Sequence, residues 1–349
     1  MAKEINALVD QLIVDQAGDW DRTGVLPMDV LRKLGADGLL CAEVPPQYGG
    51  PGLTSRQNGE LTAHVGSLCG STRSILTAQG MAAWTIFRLG DEIQRREFLS
   101  RLVSGDLAAA ALSEPHPGLP DTGIRIVQHG PEVSVDGCHA RVVAAGYADL
   151  LVVSAQYRDG AAVVVVPTDA QGVEVKLIAE PLGCRAAGYA IVTFDDVRLP
   201  ANYVLHGAGG PLPPLVNPGL AFGRLSTAWG CAGILRGCLR TMAAHAEDDA
   251  RAEHELAELY VAEQTVTRIC EHASVCWAAG SAELVPSTVL AKQAGVGNAA
   301  RGAALALRSL GGEQQVVRAF RDAKVMEISE GGTEVGRRML ARHVLSHAA

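Results

Sequence analysis

Aromatic residues make up only 4% of this 349-residue chain. That shortage excludes a core built on stacked rings and leaves Ala, Val and Leu to fill it, which suits helices packed at close range. Basic residues are also in the minority, 30 against 38 acids, for a net charge of −8. Nucleic-acid binding needs clustered Lys and Arg, so this balance argues against it. No apolar run reaches the ~18 residues of a membrane span. Met1-Ala2-Lys3-Glu4-Ile5 lacks the apolar region of a secretion signal. A cytoplasmic protein without a membrane partner is therefore expected. The eight cysteines include no CxxC pair, so no metal is expected. They read as small buried hydrophobes in a reducing compartment. His64, His245 and His254 show no metal spacing either.

What is there changes period twice. Hydrophobic content is 48% and the length allows two or three packed units. Ile5, Leu8, Val9, Leu12 and Ile13 recur at helical spacing. A second helix runs through Met28 to Leu34 and stops at Gly35, and more are expected near 54–67, 71–89 and 91–104, the last with Asp91 as its N-cap. Between them lies a turn-rich loop, Gly38 to Gly52. From about 108 to 200 come short β-branched runs such as Leu150-Leu151-Val152-Val153 and Val163-Val164-Val165-Val166, separated by turn residues. They predict a β-barrel or sandwich. Gly207 to Pro218 reads as a linker, and Ala- and Leu-rich helices are expected over about 219–247, 250–280 and 286–310, with a shorter one after Glu334. The division is an all-α domain at 1–107, a β-domain at 108–212 and a helical bundle at 213–349.

Near the end, Arg321-Asp322-Ala323-Lys324 leads to Glu330-Gly331-Gly332-Thr333. The glycines permit backbone angles that would aim a side chain into a cavity. A carboxylate there can be a general base. It can equally be a solvated turn acid, and spacing does not separate the two.

The order of domains and several motifs together resemble the acyl-CoA dehydrogenase family over nearly the whole chain. Pro46-Gln47-Tyr48-Gly49-Gly50-Pro51-Gly52 looks like its first-domain signature, and Leu112-Ser113-Glu114-Pro115 like the segment opening its barrel. Asp195-Asp196-Val197-Arg198-Leu199-Pro200 resembles the segment closing the barrel. Leu310-Gly311-Gly312 resembles a late glycine pair, and Arg321 to Gly331 the catalytic segment. Asp37 to Glu43, Thr62 to Cys69, Gln79 to Trp84 and Ala228 to Cys231 are similar to the branch acting on carrier-protein-bound acids. Those proteins help make hydroxymalonyl or methoxymalonyl extender units for polyketides.

The resemblance implies an acyl-CoA dehydrogenase fold, with helical domain, β-barrel and four-helix bundle, assembled as a homodimer or homotetramer. It implies FAD between barrel and bundle and an acyl thioester, on CoA or an acyl carrier protein, against the flavin. Glu330 would be the base, and hydride would pass to the flavin. A base in that role works best in a dry cavity, with donors on the thioester oxygen. In the carrier-protein branch the pathway implies oxidation of a terminal carbon, and Glu330 would deprotonate a hydroxyl. By the same resemblance Leu112, Ser113, Arg141, Val143, Arg308, Gly311, Gly312, Gly332, Thr333 and Glu334 would contact FAD. Arg185, Arg224 and Gly331 would contact substrate, although Arg185 and Arg224 also read as ion-pairing structural residues.

Departures from the family pattern concentrate on the flavin seat. Arg141-Val142-Val143 replaces a Trp-x-Thr, and Val143 cannot donate a hydrogen bond. Pro115, Pro117 and Pro120 remove backbone donors from the loop after Ser113. The segment that reaches a neighbouring subunit's FAD reads as deleted after His245, and acidic Glu247-Asp248-Asp249 disfavours a pyrophosphate there. Arg308 stands for a Gln and Gly332 for a Thr, with Thr333 one position late. Two alternatives to a flavoenzyme therefore stay open: non-redox proton transfer by Glu330 with weak or no FAD, and a non-catalytic partner subunit. Arg337, Arg338 and Arg342 fit either cations favourably placed along a C-terminal helix or a basic patch for an acidic carrier protein.

Overall fold

The computed structural model describes residues 2–112, 123–246 and 250–347. Ser113, the three prolines after it and Glu247-Asp248-Asp249 lie outside the described residues. The N-terminal part is helical: α1 (Ala2–Ile13), α2 (Ala17–Thr23), α3 (Met28–Ala36), α4 (Ser55–Leu68) and α5 (Gly70–Leu89). A last helical stretch passes from α6 (Glu92–Gln94) through a π-type turn (Arg95–Leu99) into α7 (Ser100–Val103). Two of these starts are fixed by side chains. Thr54 and Gln57 form a reciprocal capping box, as do Asp91 and Gln94, so the expected Asp91 cap is present.

Seven strands follow in one curled sheet: β1 (Ala108–Ala111), β2 (Arg125–His129), β3 (Glu132–Val142), β4 (Leu150–Tyr157), β5 (Gly160–Pro167), β6 (Val173–Leu177) and β7 (Ala190–Pro200). Strand β4 is central: β1 and β2 share one of its edges, both parallel to it, and β5 pairs antiparallel on the other. β4 and β5 are buried along almost their whole length, which matches their unbroken Val and Leu runs. The helical part is tied to the sheet through Asp149. Its carboxylate accepts two bonds from Arg32, at 2.5 and 2.7 Å, and one from the Leu107 amide at 2.7 Å.

The C-terminal part contains α8 (Leu212–Ala244), α9 (Ala250–Ala278), α10 (Leu284–Leu310), α11 (Gln314–Met326) and α12 (Thr333–His347). α8 packs against α4, α5, α9 and α10 and so holds both helical parts together. Its contact with α4 is close: a Cβ at Gly233 would come within 2.2 Å of the Ala63 carbonyl. The scarcity of aromatics is matched by this small-residue packing.

Two expectations are corrected here, and one helix is added. The linker read to Pro218 ends earlier, because α8 starts at Leu212 after the capping Pro211. Prolines suit a first helical turn, whose amides have no intrahelical acceptor, and only Pro218 falls inside the helix. Arg224 therefore sits well inside α8. The charged segment before Glu330 is the amphipathic helix α11, whose buried Val316, Ala323 and Met326 alternate with charged positions. Finally, seven cysteines are buried, but Cys138 on β3 is exposed, since alternate residues of that strand face outward. No described helix is long and apolar enough to cross a membrane.

Candidate active site

Glu330 lies in the short break between α11 and α12. Its own φ is +45° and that of Gly331 is +86°, so two successive residues are left-handed. For Gly331 this is cheap, but for a glutamate it is strained by about 1–3 kcal/mol and has to be held by its surroundings. They hold it from two sides. Thr227 on α8, fully buried, donates its hydroxyl to Glu330 Oε2 at 2.8 Å. Lys292 on α10 donates its ammonium to the carbonyl of Gly331. The break is closed by the Thr333 amide and hydroxyl, which both donate to the Glu327 carbonyl, at 3.1 and 3.2 Å.

The carboxylate faces a cavity of about 580 Å³ between the sheet and the C-terminal helices. Leu112, Val143, Met81, Leu220 and Met339 give it apolar walls. Among the described residues that line it Glu330 is the only carboxylate, against the guanidinium groups of Arg141, Arg224, Arg338 and Arg342. Arg141 is presented by an irregularity in β3. The register with β7 shifts between His139 and Val142, and Arg141 has φ +57°. Such bulges re-aim a side chain at the edge of a ladder. Burial holds the neighbouring His139 below its ordinary pKa and so favours its neutral form. Burial also raises the Tyr189 phenol well above its usual value, keeping it protonated as a donor. Lys292 is only 1% exposed, and its burial brings the ammonium down to about 8, with Glu330 pulling it up and Arg224 pushing it further down.

The structure brings together Glu330, Gly331, Gly332, Leu112, Arg141, Val143 and Arg224 around this cavity. Arg224, 2% exposed, has Nη2 within 3.7 Å of where a Gly331 Cβ would stand. Other expected residues fall outside its lining. Arg308, Gly311 and Gly312 sit at the C-terminal end of α10 and just beyond it, and a Cβ on either glycine would meet nothing within 4 Å. Thr333 and Glu334 begin α12, the first with its hydroxyl committed to Glu327. Arg185 belongs to a loop docked on α11 and α5, through Cys184 N to Asp322 Oδ1 at 2.6 Å and Ala186 N to Ser71 Oγ at 3.1 Å. It does not line the cavity.

Sequence reasoning missed Thr227, Lys292 and Tyr189. For Lys292 a signal existed: it is a lone cation on the face of α10 formed by Val289 and Val296. Outside the cavity, Glu283, His343 and His347 bring ligand-type atoms within 4.8 Å of one another, a grouping the spacing of the other histidines did not suggest.

A helical domain, a curled sheet and a helical bundle meeting at a carboxylate-bearing cavity define a class of oxidoreductase. The chain belongs to the acyl-CoA dehydrogenase family: residues 1–106 match its N-terminal domain and residues 214–345 its C-terminal domain. A solved structure described as FkbI, for biosynthesis of the methoxymalonyl extender unit of the Fk520 polyketide immunosuppressant, is 49% identical. It superposes with a TM-score of 0.92 over 98% of this chain and 99% of that one. The probable acyl-CoA dehydrogenase YngJ of Bacillus subtilis is 28% identical over 95% of this chain and 94% of its own length. Butyryl-CoA dehydrogenase from Megasphaera elsdenii shares the fold, with a TM-score of 0.91 at 20% identity over 99% of this chain and 98% of that one.

Proposed function

We propose that this enzyme oxidises an acyl thioester carried by CoA or an acyl carrier protein, in the making of a hydroxymalonyl- or methoxymalonyl-type polyketide extender unit, with Glu330 as base. The observation that carries it is the placement of Glu330: a carboxylate on a strained backbone, bonded by Thr227, and alone of its sign among the described residues of a cavity with four guanidinium groups. The likeness to the extender-unit protein supports the substrate class.

The cavity fits FAD by its chemistry. It combines apolar walls suited to a flat ring with guanidinium groups suited to phosphate. Leu112, Arg141, Val143 and Gly332 would hold the flavin side, and Arg224 and Gly331 the substrate side. Arg308, Gly311 and Gly312 would reach FAD only in a neighbouring subunit of a homodimer or homotetramer. Exposed apolar residues such as Val261 and Val275 on α9 and Leu345 on α12 suit such an assembly. Bound FAD supplies the hydride acceptor. Glu330 would take the proton, either from the α-carbon of a saturated thioester, with the hydride coming from the β-carbon, or from a hydroxyl of a hydrated terminal aldehyde, with the hydride coming from the carbon that bears it. Tyr189, protonated, is placed to donate to a substrate oxygen.

The test is direct. The purified protein should absorb in the flavin bands with about one flavin per chain, and Glu330→Gln should lose turnover while keeping the flavin. A Glu330→Gln variant as active as the parent would sink the base assignment. One observation favours a second reading, proton transfer on a thioester without a flavin: the Thr333 hydroxyl is taken up by Glu327 and does not line the cavity. A colourless protein that takes up no added FAD would select that reading.

A further inference from the structure

Lys292 is among the largest fully buried side chains of the protein, yet among the described residues no carboxylate lies within 4.0 Å of its ammonium. Buried charges are normally paired, because the cost of removing them from water is otherwise uncompensated. A methionine would fill the same space on α10 at no such cost. What the ammonium does touch is the carbonyl of Gly331. That carbonyl belongs to the left-handed pair Glu330–Gly331, whose backbone determines where the Glu330 carboxylate points. The α10 helix is long and anchored against α8, whereas α12, which continues from the break, buries only Gly336. The break thus takes its rigidity from α8 and α10, through Thr227 at the carboxylate and Lys292 at the following peptide.

We infer that Lys292 is the positioning residue of this site: its ammonium clamps the Gly331 carbonyl, fixes the strained Glu330–Gly331 turn and sets a positive charge beside the base. The inference rests on the reading of Glu330 as base. An apolar side chain of the same size would leave the turn free to relax toward ordinary backbone angles and would remove the positive charge. The other titratable groups around this pair are Arg224 and Cys231 on α8, His139 and Arg141 on β3, Tyr189 ahead of β7, and Arg338 and Arg342 on α12. Of these the four arginines carry charge at neutral pH, and burial favours the neutral form of His139. Burial raises the Cys231 thiol to about 12 and keeps the Tyr189 phenol protonated.

The experiment compares Lys292→Met and Lys292→Arg in the full-length holoenzyme. Lys292→Met should lower kcat about a hundredfold, as a misplaced catalytic group does, with KM changed less than about threefold. The acid limb of its pH–kcat/KM profile should move to higher pH, and Lys292→Arg should restore part of both. Amide hydrogen exchange over residues 328–333 should speed up in Lys292→Met and not in Lys292→Arg, with the rest of α10 unchanged. That readout does not depend on turnover. If Glu330→Gln proves fully active, the base assignment fails while the exchange result still judges the clamp. Where Lys292→Met does not fold, Lys292→Gln, which keeps a donor but no charge, should hold the exchange pattern and still lose the pH limb. Unchanged kcat, pH limb and exchange in the neutral variant would overturn the proposal and leave Lys292 as a core cation of no consequence for Glu330.

Discussion

Gly223 and Glu330 are in direct packing contact: a Cβ at position 223 would stand 2.6 Å from Glu330 Cγ and 2.5 Å from Met81 Sδ. The α8 backbone therefore forms the floor under the stem of Glu330. In Gly223→Ala the thioether of Met81 can move aside, because it is long and flexible. Glu330 is tethered by its turn and cannot follow so freely. The variant should fold with a stability loss of about 1–3 kcal/mol, typical of overpacking. Its kcat should fall much further than thermal melting suggests, by roughly a hundredfold. A melt and a steady-state assay on the same preparation check this.

Thr227 supplies the hydroxyl bond to the carboxylate. Thr227→Val keeps the shape and removes the donor. A hydrogen bond to a charged group contributes about 1.5–3 kcal/mol. Loss of Glu330 orientation should accordingly cut kcat/KM by about ten- to a hundredfold. The melting temperature should hardly move, since valine suits the buried site. Thr227→Ser should retain most of the activity, and a Ser variant as impaired as Val would argue that the methyl group, not the hydroxyl, matters.

Glu43 predicts a pH dependence of stability away from the cavity. Its carboxylate accepts from Asn58 Nδ2 at 2.8 Å and Trp277 Nε1 at 3.1 Å, joining the 38–52 loop to α4 and α9. Burial raises it from 4.5 to about 7, against the opposing effect of those two bonds. The folded protein thus holds a proton that the unfolded chain releases at lower pH. Stability contributed by this group is full below pH 4.5 and is lost as pH rises to about 7. Glu43→Gln should flatten that slope. Comparing chemical denaturation of parent and variant at pH 5 and at pH 8 reads the difference, with the change in slope as the result, because the amide also alters the hydrogen bonds at every pH.

How much of this was legible in the sequence follows from how local each signal is. The helix and strand periods, the Asp91 cap and the glycine break after Glu330 are short-range patterns, and each has its counterpart in the structure. The start of α8 was not legible, because Pro213 and Pro214 read as linker until their place in a first turn is known. α11 was obscured because Arg318, Arg321, Asp322 and Lys324 interrupt its apolar residues. Thr227 meets Glu330 from 103 positions away in the chain. No local pattern marks a threonine in an alanine- and glycine-rich helix as the partner of a distant acid. Only tertiary packing of α8 and α10 against the break makes that selection.

Arg338 and Arg342 carry the last prediction. They lie one turn apart on α12, both line the cavity, and neither has a carboxylate within 4.0 Å among the described residues. On a chain with an excess of acids this pair is a local concentration of positive charge. Along the helix they stand about 7 and 13 Å beyond Thr333, so they lie farther from the break than Glu330 does. A ligand whose reacting carbon reaches Glu330 would present its anionic end to them. Arg338→Gln with Arg342→Gln should therefore raise KM for the thioester by roughly tenfold, about the contribution of one charge-assisted bond, and leave kcat nearly intact. Because both side chains are solvent-exposed, the parent enzyme's KM should rise with added salt and the double variant's should not. Measuring both with a CoA thioester and with the same acyl group on a carrier protein separates the sources of the anion. A larger loss with the carrier protein would assign the pair to its acidic surface, and an equal loss to the phosphate that both substrates share. No loss with either, together with weaker flavin retention on gel filtration, would move the pair to the cofactor.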